Sequence, residues 1–574
     1  MVKQVYVIFK THLDIGYTDY AENVIHRYLK EYLPKAIALG NELKDTDTPF
    51  VWTVGSWLIW EALKTDDGTV AKAIEDGIIA WHGLPDTTHT ELMNTELFTY
   101  GVSLSEQLDK RFGKKTTGAK MTDVPGHTVG LVPLLRQKGI TFLHIGVNPA
   151  TPLPQVPPVF QWRWKDSEIT VIYEQGYGED TVIEDFAVCF AHTNDNMGPQ
   201  SAEQIVHIYE EIQKKYPGAQ IKAATLSDVA ERLRKVEGLP VVEKEIGDTW
   251  IHGAGTDPKK LGRFRELQRH FAQFGTNKDL TDSLLLIPEH TWGLNVQLNF
   301  FYDDCWYPAE FETDVHVDAR NRMEKSWLEQ RAYLDAAENV LGVQTDYTLT
   351  EPDLDGCTKL DTAVCDVELS WQLFDEEDWE RYKQVYMVLT PENLTWATWD
   401  YSKVGMPVYK GGVYTAQVRE TYEKDGRTYS KLTFDAALAE KYGLPYFWLI
   451  CDGRNVEVQW FGRKPLRLPN AFWLKFTGME ENWQLHKLGQ WINPEDIVGS
   501  PLIAGIDRGV RNGKVEIESL DAALVAPFGR RLYDFENHPQ NQDLYFNLYN
   551  NIWNTNFPLW YTDDTRFRFV LKNR

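Results

Sequence analysis

Two side chains with metal-ligand chemistry follow a strongly apolar segment at the start of the chain. Residues 5–9, VYVIF, are rich in β-branched residues and predict a buried strand that opens into a loop near His12 and Asp14. Residues two apart in an extended segment point the same way, so one imidazole nitrogen and one carboxylate oxygen can meet at a single ion. The competing interpretation is that His12 caps a turn and Asp14 begins a helix.

A third candidate, Asp123, comes directly after another predicted strand at 118–122. In the segment TDVPGH, Pro125 and Gly126 predict a turn that exposes the Asp123 carboxylate. Taken alone, such an aspartate is more often a solvent-facing turn residue. If both strands belong to one parallel sheet or barrel, their loops converge, and Asp123 can then reach the ion held by His12.

Two further loops carry polar groups near the expected site. The segment 81–91, WHGLPDTTHTE, places His82 and Asp86 after a strand. The segment 190–199, FAHTNDNMGP, places Asp195 and Asn196 before a helix, where both can equally serve as N-cap residues.

Three other residues have alternative interpretations. Glu179 and Asp180, in the glycine loop GYGED, are carboxylates that compete with Asp195 for a catalytic role. His290 lies in LLLIPEHTWG, an apolar segment where a histidine is more often a core residue than a ligand.

The surrounding pattern predicts three kinds of structure along the chain. From residue 1 to about 245, short apolar strands alternate with amphipathic helices, which is typical of a parallel sheet or a β/α barrel. From about 258 to 342 the pattern is helical. From about 350 onward, runs such as YFWLIC and VEVQWF separated by Gly, Asp and Asn turns predict an antiparallel β-sandwich. Catalytic groups are therefore expected at the carboxyl ends of the first strands.

Length, charge and composition indicate the number of domains and the kind of ligand. A chain of 574 residues predicts two to four domains. The 84 acidic against 59 basic residues, a net charge of −25, argue against nucleic acid and membrane surfaces as partners. A neutral ligand fits better, and 13% aromatic residues mildly favour a sugar. The five cysteines form no CxxC pair, and without a signal peptide or membrane span in the sequence we expect a cytoplasmic protein.

Several motifs together resemble one enzyme family. KTHLDIGYT, TDVPGH and SLLLIPEHTWG are similar to the opening, nucleophile and histidine-bearing motifs of the glycoside hydrolase family 38 α-mannosidases. TLSDVAERL, GDTWIHGAGTDP and LYNNIWNTNFP continue the similarity in the family's order over almost the whole chain.

The resemblance implies a fold and an activity. The expected fold is a seven-stranded β/α barrel over residues 1–257, a three-helix bundle over 258–345 and one or more β-sandwiches over 346–574. The expected activity is a metal-dependent retaining glycosidase that hydrolyses α-linked sugars, foremost α-mannosides, through a covalent glycosyl-aspartate. The expected substrate is an oligosaccharide or small glycoside, and homo-oligomer formation is left open.

The resemblance also implies roles for individual residues. The expected cofactor is one divalent ion, foremost Zn²⁺ with Co²⁺ or Mn²⁺ as alternatives, bound by His12, Asp14, Asp123 and His290. Asp123 is also the expected nucleophile.

The acid/base role is less defined. Asp195 is the expected acid/base, with Glu179 and Asp180 left open. The expected sugar contacts are Tyr17, His82, Asp86 and His252.

The sequence also departs from the family pattern. Val124 and Pro125 replace the aromatic residue that follows the family's nucleophile, and Tyr17 stands where a tryptophan is common. A sugar other than mannose is therefore one alternative.

Two other functional classes stay open. A metal-dependent carbohydrate deacetylase would use the same ligand types with a metal-bound water. A non-catalytic sugar-binding protein would keep the aromatic residues. Release of p-nitrophenol from aryl glycosides, set against release of acetate from acetylated sugars, separates these classes.

Overall fold

The structure of the protein is a computed structural model. It describes residues 1–274, 283–300, 302, 304–313, 315–345, 348–361, 367–401, 403–479, 482–499, 503–530 and 543–573. The chain divides into two compact units, a first unit of Met1–Thr90, Glu96–Ile246 and Pro288–Thr291, and a second unit of Glu91–Thr95, Gly247–Ile287 and Trp292–Arg574. The predicted boundaries at residues 257 and 345 stay predictions.

The first unit is mixed α/β. Its strands are β1 Gln4–His12, β2 Trp52–Gly55, β3 Ile79–His82, β4 Gly118–Asp123, β5 Phe142–Val147, β6 Val159–Trp164, β7 Ser167–Gln175, β8 Thr181–Ile183, β9 Phe186–Asp195, β10 Gln220–Ala223, β11 Val241–Val242 and β12 Glu245–Ile246. Its helices are α1 Ala21–Arg27, α2 Leu33–Leu43, α3 Ser56–Ala62, α4 Thr69–Glu75, α5 Thr95–Phe112, α6 Leu131–Gln137, α7 Ala202–Lys215 and α8 Leu226–Leu233.

Eleven of the twelve strands of the first unit, all but β12, form two sheets with parallel centres. In one, the order is β3-β2-β1-β9-β8, and β10 also pairs with β1. In the other, the order is β11-β6-β7-β5-β4. From Val5 onward β1 is buried along its whole length, because a parallel strand has covered faces on both sides. The predicted alternation of strands and helices is therefore confirmed.

The structure does not show the closed seven-stranded barrel that the resemblance implied. Directly after β3, Gly83 N donates a hydrogen bond to Gly118 O of β4 at 3.0 Å, and among the described strands β3 and β4 are end strands of different sheets. On the far side, β9 pairs with the short antiparallel strand β8, while β7 pairs with the antiparallel strand β6. The antiparallel strands β8 and β6 thus occupy the positions next to β9 and β7 where further parallel pairing would continue toward a ring, and β11 lies outside β6.

The second unit contains helices followed by antiparallel sheets. Its helices are α9 Pro258–Phe274, α10 Val296–Asn299, α11 Pro308–Glu312, α12 Val317–Leu341, α13 Glu376–Tyr386, α14 Leu394–Tyr401 and α15 Ala436–Tyr442. Its strands are β13 Thr358–Leu360, β14 Val367–Leu373, β15 Gly412–Thr415, β16 Gln417–Lys424, β17 Arg427–Thr433, β18 Tyr446–Asp452, β19 Asn455–Phe461, β20 Asn470–Phe476, β21 Gln484–Lys487, β22 Gln490–Ile492, β23 Ile497–Val498, β24 Ala504–Gly505, β25 Gly509–Arg511, β26 Val515–Ser519, β27 Leu524–Ala526, β28 Tyr545–Asn550 and β29 Thr565–Asn573.

Two large antiparallel sheets of the second unit share one apolar core. The ten-stranded sheet has the order β13-β16-β17-β18-β19-β29-β26-β25-β21-β22, and the six-stranded sheet has the order β15-β14-β20-β28-β27-β24. Trp371 and Phe472 of the smaller sheet lie in the same cluster as Trp460 and Phe567 of the larger one. This arrangement confirms the predicted sandwich-like packing, in which inward-facing residues alternate along each strand.

Two smaller findings complete the fold. Cys189, Cys305, Cys357 and Cys451 are free thiols, and Cys365 lies outside the described residues. Among the described helices, none combines the length and the apolar character needed to cross a membrane.

Candidate metal centre and active site

Three of the predicted metal ligands converge in the first unit. His12 is the last residue of β1, Asp14 follows it in the loop, and His290 lies in the segment Pro288–Thr291. The Nε2 atoms of His12 and His290 are 3.1 Å apart. Asp14 Oδ1 lies 3.1 Å from His12 Nε2 and 2.9 Å from His290 Nε2. All three residues are at most 4% exposed.

These three residues fit a divalent metal ion. Donor atoms at 2.0–2.2 Å from one zinc ion lie about 3 Å from each other at ordinary bond angles, which matches the observed separations. The buried Asp14 Oδ2, on the same carboxylate as the converging Oδ1, has no hydrogen-bond partner among the described residues. Imidazole and carboxylate donors suit zinc, cobalt or manganese. His12, Asp14 and His290 therefore form a candidate metal centre.

Asp123, the last residue of β4, lies beside this centre. Its Oδ2 is 3.4 Å from His290 Nε2 and 4.0 Å from His12 Nε2, so it lies farther out than the other three ligands. Its Oδ1 accepts a hydrogen bond from Asn148 Nδ2 at 2.8 Å. Asp123 has a φ of +86°, a conformation that residues other than glycine rarely adopt outside functional sites. The two oxygens of this carboxylate thus face different partners.

The electrostatics favour positive charge at the centre. Burial acts to raise the pKa of Asp14 and of Asp123, but the adjacent His12 and His290 side chains outweigh it and leave both pKa values lowered. Burial acts to lower the pKa of His290, yet Glu289, Asp123 and Asp14 raise it well above its usual value. The carboxylates therefore stay ionised, which is the protonation state that metal ligation needs.

Glu289 orients the His290 ring from behind. Its Oε1 lies 2.7 Å from His290 Nδ1, and its Oε2 accepts a hydrogen bond from Thr291 N at 3.0 Å. A carboxylate behind a ligating imidazole fixes the ring and makes it a better donor. The backbone of His290 donates to Thr87 O at 3.1 Å, which ties the segment to the loop after β3.

Asn196 fixes the loop that carries Asp14. Its Oδ1 accepts from Asp14 N at 3.1 Å, and its Nδ2 donates to Asp14 O at 3.1 Å and to Gly16 O at 3.2 Å. The alternative interpretation of Asp195 as a helix cap is wrong. The helix α7 begins at Ala202, and the Ser201 side chain caps it by accepting from the backbone N–H three residues on.

Asp195 lies next to the candidate metal centre. It ends β9 and is paired in register with His12 across a β-bulge. Burial and the charges of Asp14 and Asp123 raise the pKa of Asp195 to about 7. Its buried Oδ1 has no hydrogen-bond partner among the described residues. Asp195 is thus a carboxyl group that keeps its proton close to neutral pH.

The two alternative candidates for the acid/base, Asp180 and Glu179, lie in different surroundings from Asp195. Asp180 Oδ2 lies 2.7 Å from Lys215 Nζ on α7, and this ion pair occupies it. Glu179 is exposed to solvent.

Three of the four predicted sugar contacts lie in the first unit. Tyr17 is half-buried and has a φ of +61°. His82 and Asp86 are buried and line a cavity of about 30 Å³ together with Thr11 and Lys120, which is room for about one water molecule. Burial and Glu289 raise the pKa of Asp86 well above its usual range, while His290 opposes them. Both carboxylate oxygens of Asp86 have no hydrogen-bond partner among the described residues.

The fourth predicted contact, His252, belongs to the second unit. Its Nδ1 lies 3.0 Å from Thr249 O, its Nε2 lies 3.2 Å from the Tyr382 hydroxyl, and its ring stacks on Trp553 at 5.3 Å. Its role as a sugar contact stays a prediction.

Sequence reasoning missed Asn148 and Tyr177. Asn148 follows β5 in the dipeptide Asn-Pro, and Tyr177 lies in the glycine loop GYGED. The Tyr177 ring stacks on the His12 ring with centroids 5.4 Å apart. The one signal for Tyr177 was its pair of flanking glycines.

Comparison with known proteins adds information about the fold. A family model described as a domain of unknown function, DUF5054, matches residues 254–352, and no curated protein matches the sequence. An α-mannosidase from Enterococcus faecalis V583 is similar in structure, with a TM-score of 0.60 and 9% identity over 100% of this chain and 87% of that chain. A glycosyl hydrolase family 38 protein from Enterococcus faecalis gives a TM-score of 0.55 and 10% identity over 100% of this chain and 86% of that chain. The chain shares their fold.

Proposed function

We propose that this protein is a metal-dependent retaining glycosidase that hydrolyses α-linked sugars, foremost α-mannosides. The observation that carries the proposal is the convergence of Asp123 with His12, Asp14 and His290. The fold shared with an α-mannosidase supports the choice of substrate class. A small glycoside or oligosaccharide is the proposed substrate.

The metal ion has a positioning role in this proposal. His12, Asp14 and His290 would hold it, with Asp123 as a fourth ligand. When bound, it supplies Lewis-acid contacts that orient neighbouring sugar hydroxyls.

The proposed chemistry uses two carboxyl groups in two steps. In the first step Asp123 attacks the anomeric carbon, and Asp195 gives its proton to the departing oxygen. In the second step Asp195 takes a proton from water, and the resulting hydroxide displaces Asp123 from the sugar. Two inversions at one carbon retain its configuration.

The protonation states of both residues support these roles. The lowered pKa of Asp123 keeps the nucleophile ionised, whereas the raised pKa of Asp195, about 7, keeps the acid protonated below neutral pH. Two carboxyl groups whose environments separate their pKa values are the general pattern of such acid and nucleophile pairs.

The proposed sugar contacts remain Tyr17, His82, Asp86 and His252. Tyr17 is half-buried in the loop after β1, close in sequence to His12 and Asp14, and offers an aromatic face of the kind that stacks on sugars.

Metal analysis paired with hydrolysis tests the proposed function. We expect one bound divalent ion per chain and release of p-nitrophenol from the aryl α-mannoside that a chelator abolishes and zinc restores. Release of acetate from an acetylated sugar, with no hydrolysis of any aryl glycoside, would identify a deacetylase instead. Hydrolysis that survives removal of the ion would contradict the metal role.

A further inference from the structure

The oxygen of Asp123 that faces away from the metal ligands has its own partner. Asn148 Nδ2 donates to Asp123 Oδ1 at 2.8 Å, and the Asn148 backbone N–H donates to Asp123 O at 3.1 Å. Asn148 is 6% exposed. Asn148 therefore contacts both the side chain and the backbone of the candidate nucleophile.

A second contact determines the orientation of the Asn148 amide. Its Oδ1 accepts a hydrogen bond from Ala150 N at 2.9 Å. An amide oxygen cannot donate, so an Asn148 side chain turned by half a rotation would lose this bond and would face Asp123 with an oxygen. The nitrogen must therefore point at the carboxylate.

Tyr177 supports Asn148 from the other side. The Tyr177 hydroxyl accepts a second hydrogen bond from Asn148 Nδ2 at 3.1 Å. The carbonyl oxygen of Tyr177 accepts from the buried Lys10 Nζ at 2.5 Å, and its ring lies against His12. Contacts through its ring, hydroxyl and backbone thus hold this one residue in place.

The loop that presents Tyr177 is conformationally costly. Tyr177 has a φ of +64° between Gly176 at +76° and Gly178 at +123°. A Cβ atom on Gly178 would lie 2.7 Å from the ring of Phe190, so only glycine fits there. A non-glycine residue in this region costs about 1–3 kcal/mol and persists where the surroundings enforce it.

We propose that Asn148, supported by Tyr177, keeps Asp123 Oδ2 at the metal ligands and Asp123 Oδ1 free to react. The inference rests on the proposed function. A carboxylate can bind an ion through one oxygen or both, and two-oxygen binding would turn Asp123 Oδ1 toward the ion and make it a weaker nucleophile for the sugar. Tyr177 acts through Asn148 and is a positioning residue.

The absorption spectrum of the cobalt-loaded protein tests the inference without using activity. In Asn148→Ala, Oδ1 is released and can join the ion, so the coordination number rises and the visible cobalt bands weaken. Tyr177→Phe should weaken them in the same direction but less, since the amide loses only its second acceptor. A spectrum identical to wild type in both variants would overturn the inference.

Kinetics on aryl α-mannosides supply the second readout. We expect Asn148→Ala to lower kcat by about 100-fold with little change in KM, because the nucleophile is misplaced while sugar binding is kept. Metal content should stay at the wild-type level. Equal losses in kcat and in metal content would show a collapsed site and would contradict a positioning role.

A control variant and a second substitution of Asn148 separate loss of this hydrogen bond from a failure to fold. Asn23 donates from Nδ2 to Asp19 Oδ1 at 3.1 Å on the exposed surface, so Asn23→Ala removes the same kind of bond and should change neither readout. Asn148→Asp keeps the acceptor for Ala150 N while removing the amide donor, so it should reproduce the loss in kcat even if Asn148→Ala does not fold.

The outcomes separate the two proposals. If wild-type protein hydrolyses no glycoside, the proposed function fails, and the cobalt spectra of the three variants decide the inference. If wild-type protein is active and Asn148→Asp matches it in kcat, the inference alone fails.

Discussion

A buried carboxylate in each unit meets different partners. In the second unit, Asp257 is 1% exposed and receives Arg331 through two hydrogen bonds, from Nε at 2.7 Å and from Nη2 at 2.8 Å. In the first unit, Asp14 and His12 are as deeply buried, yet each keeps one polar atom without a partner among the described residues. Paired burial is typical of a structural contact, whereas two imidazole nitrogens and a carboxylate oxygen that lie within 3.1 Å of one another indicate a binding site.

The physical reason for the difference lies in the donor types. An arginine fork satisfies both carboxylate oxygens and needs no further group. Two imidazoles and a carboxylate around one point leave lone pairs directed at that point, and only a proton or a metal ion can satisfy them.

The largest effect should come from Asp123→Asn. We expect turnover of aryl α-mannosides to be abolished and metal retention to weaken, because the substitution removes the nucleophile and one ligand. Asp180→Asn is the matched control, since its carboxylate is paired with Lys215, and it should keep nearly full activity. Near wild-type activity in Asp123→Asn would show that the buried charged groups of the first unit do not form the catalytic site.

Removal of the acid should depend on the leaving group. Asp195→Ala should lose about 10²- to 10⁴-fold in kcat/KM on glycosides with basic leaving groups and far less on dinitrophenyl glycosides. Comparison of the two substrate classes by steady-state kinetics measures this. If both classes lose equally, Asp195 is not the acid and Glu179 is the next residue to test.

Loss of a ligand from the centre should empty it without unfolding the protein. His290→Ala should lower metal content in mass spectrometry, because two of the three closest donor contacts involve its Nε2. Circular dichroism should show unchanged secondary structure. Full metal occupancy in this variant would contradict the four-ligand arrangement.

The paired charge of the second unit should affect stability and leave the metal site intact. Arg331→Ala leaves Asp257 buried without its partner, which should cost about 3–5 kcal/mol in the free energy of unfolding. Arg427→Ala breaks the exposed pair with Asp452 and should cost at most about 1 kcal/mol. Denaturant unfolding measures both, and an equal cost for the two variants would contradict the distinction between buried and exposed pairs.

The smallest expected effect is a change of kcat/KM with pH. The pKa of Asp195 is raised to about 7, and the acid must carry its proton, so kcat/KM on poor leaving groups should fall as pH rises through about 7. Dinitrophenyl glycosides, which need no proton, should show a weaker alkaline limb. A profile that is flat up to pH 9 for both substrates would show that Asp195 does not titrate in the catalytic step.

Local patterns predicted the parts of the site that lie on single strands. The apolar run before His12 and the turn residues after Asp123 are sequence-local signals, and both aspartate and histidine lie at strand ends as expected. Alternating apolar runs and turn residues likewise predicted the antiparallel sheets. Asn148 was not identified from the sequence, because an asparagine in a loop has the same local pattern whether it holds a catalytic group or only a turn.

The sequence by itself determined the strands, the ligand types and their order along the chain, since these depend on side chains a few residues apart. Only the tertiary structure decided that His290 lies 3.1 Å from His12 across 278 positions and that the parallel strands form two sheets. Contacts of that kind depend on how strands pair and pack, and their energies come from partners that no local window of sequence contains.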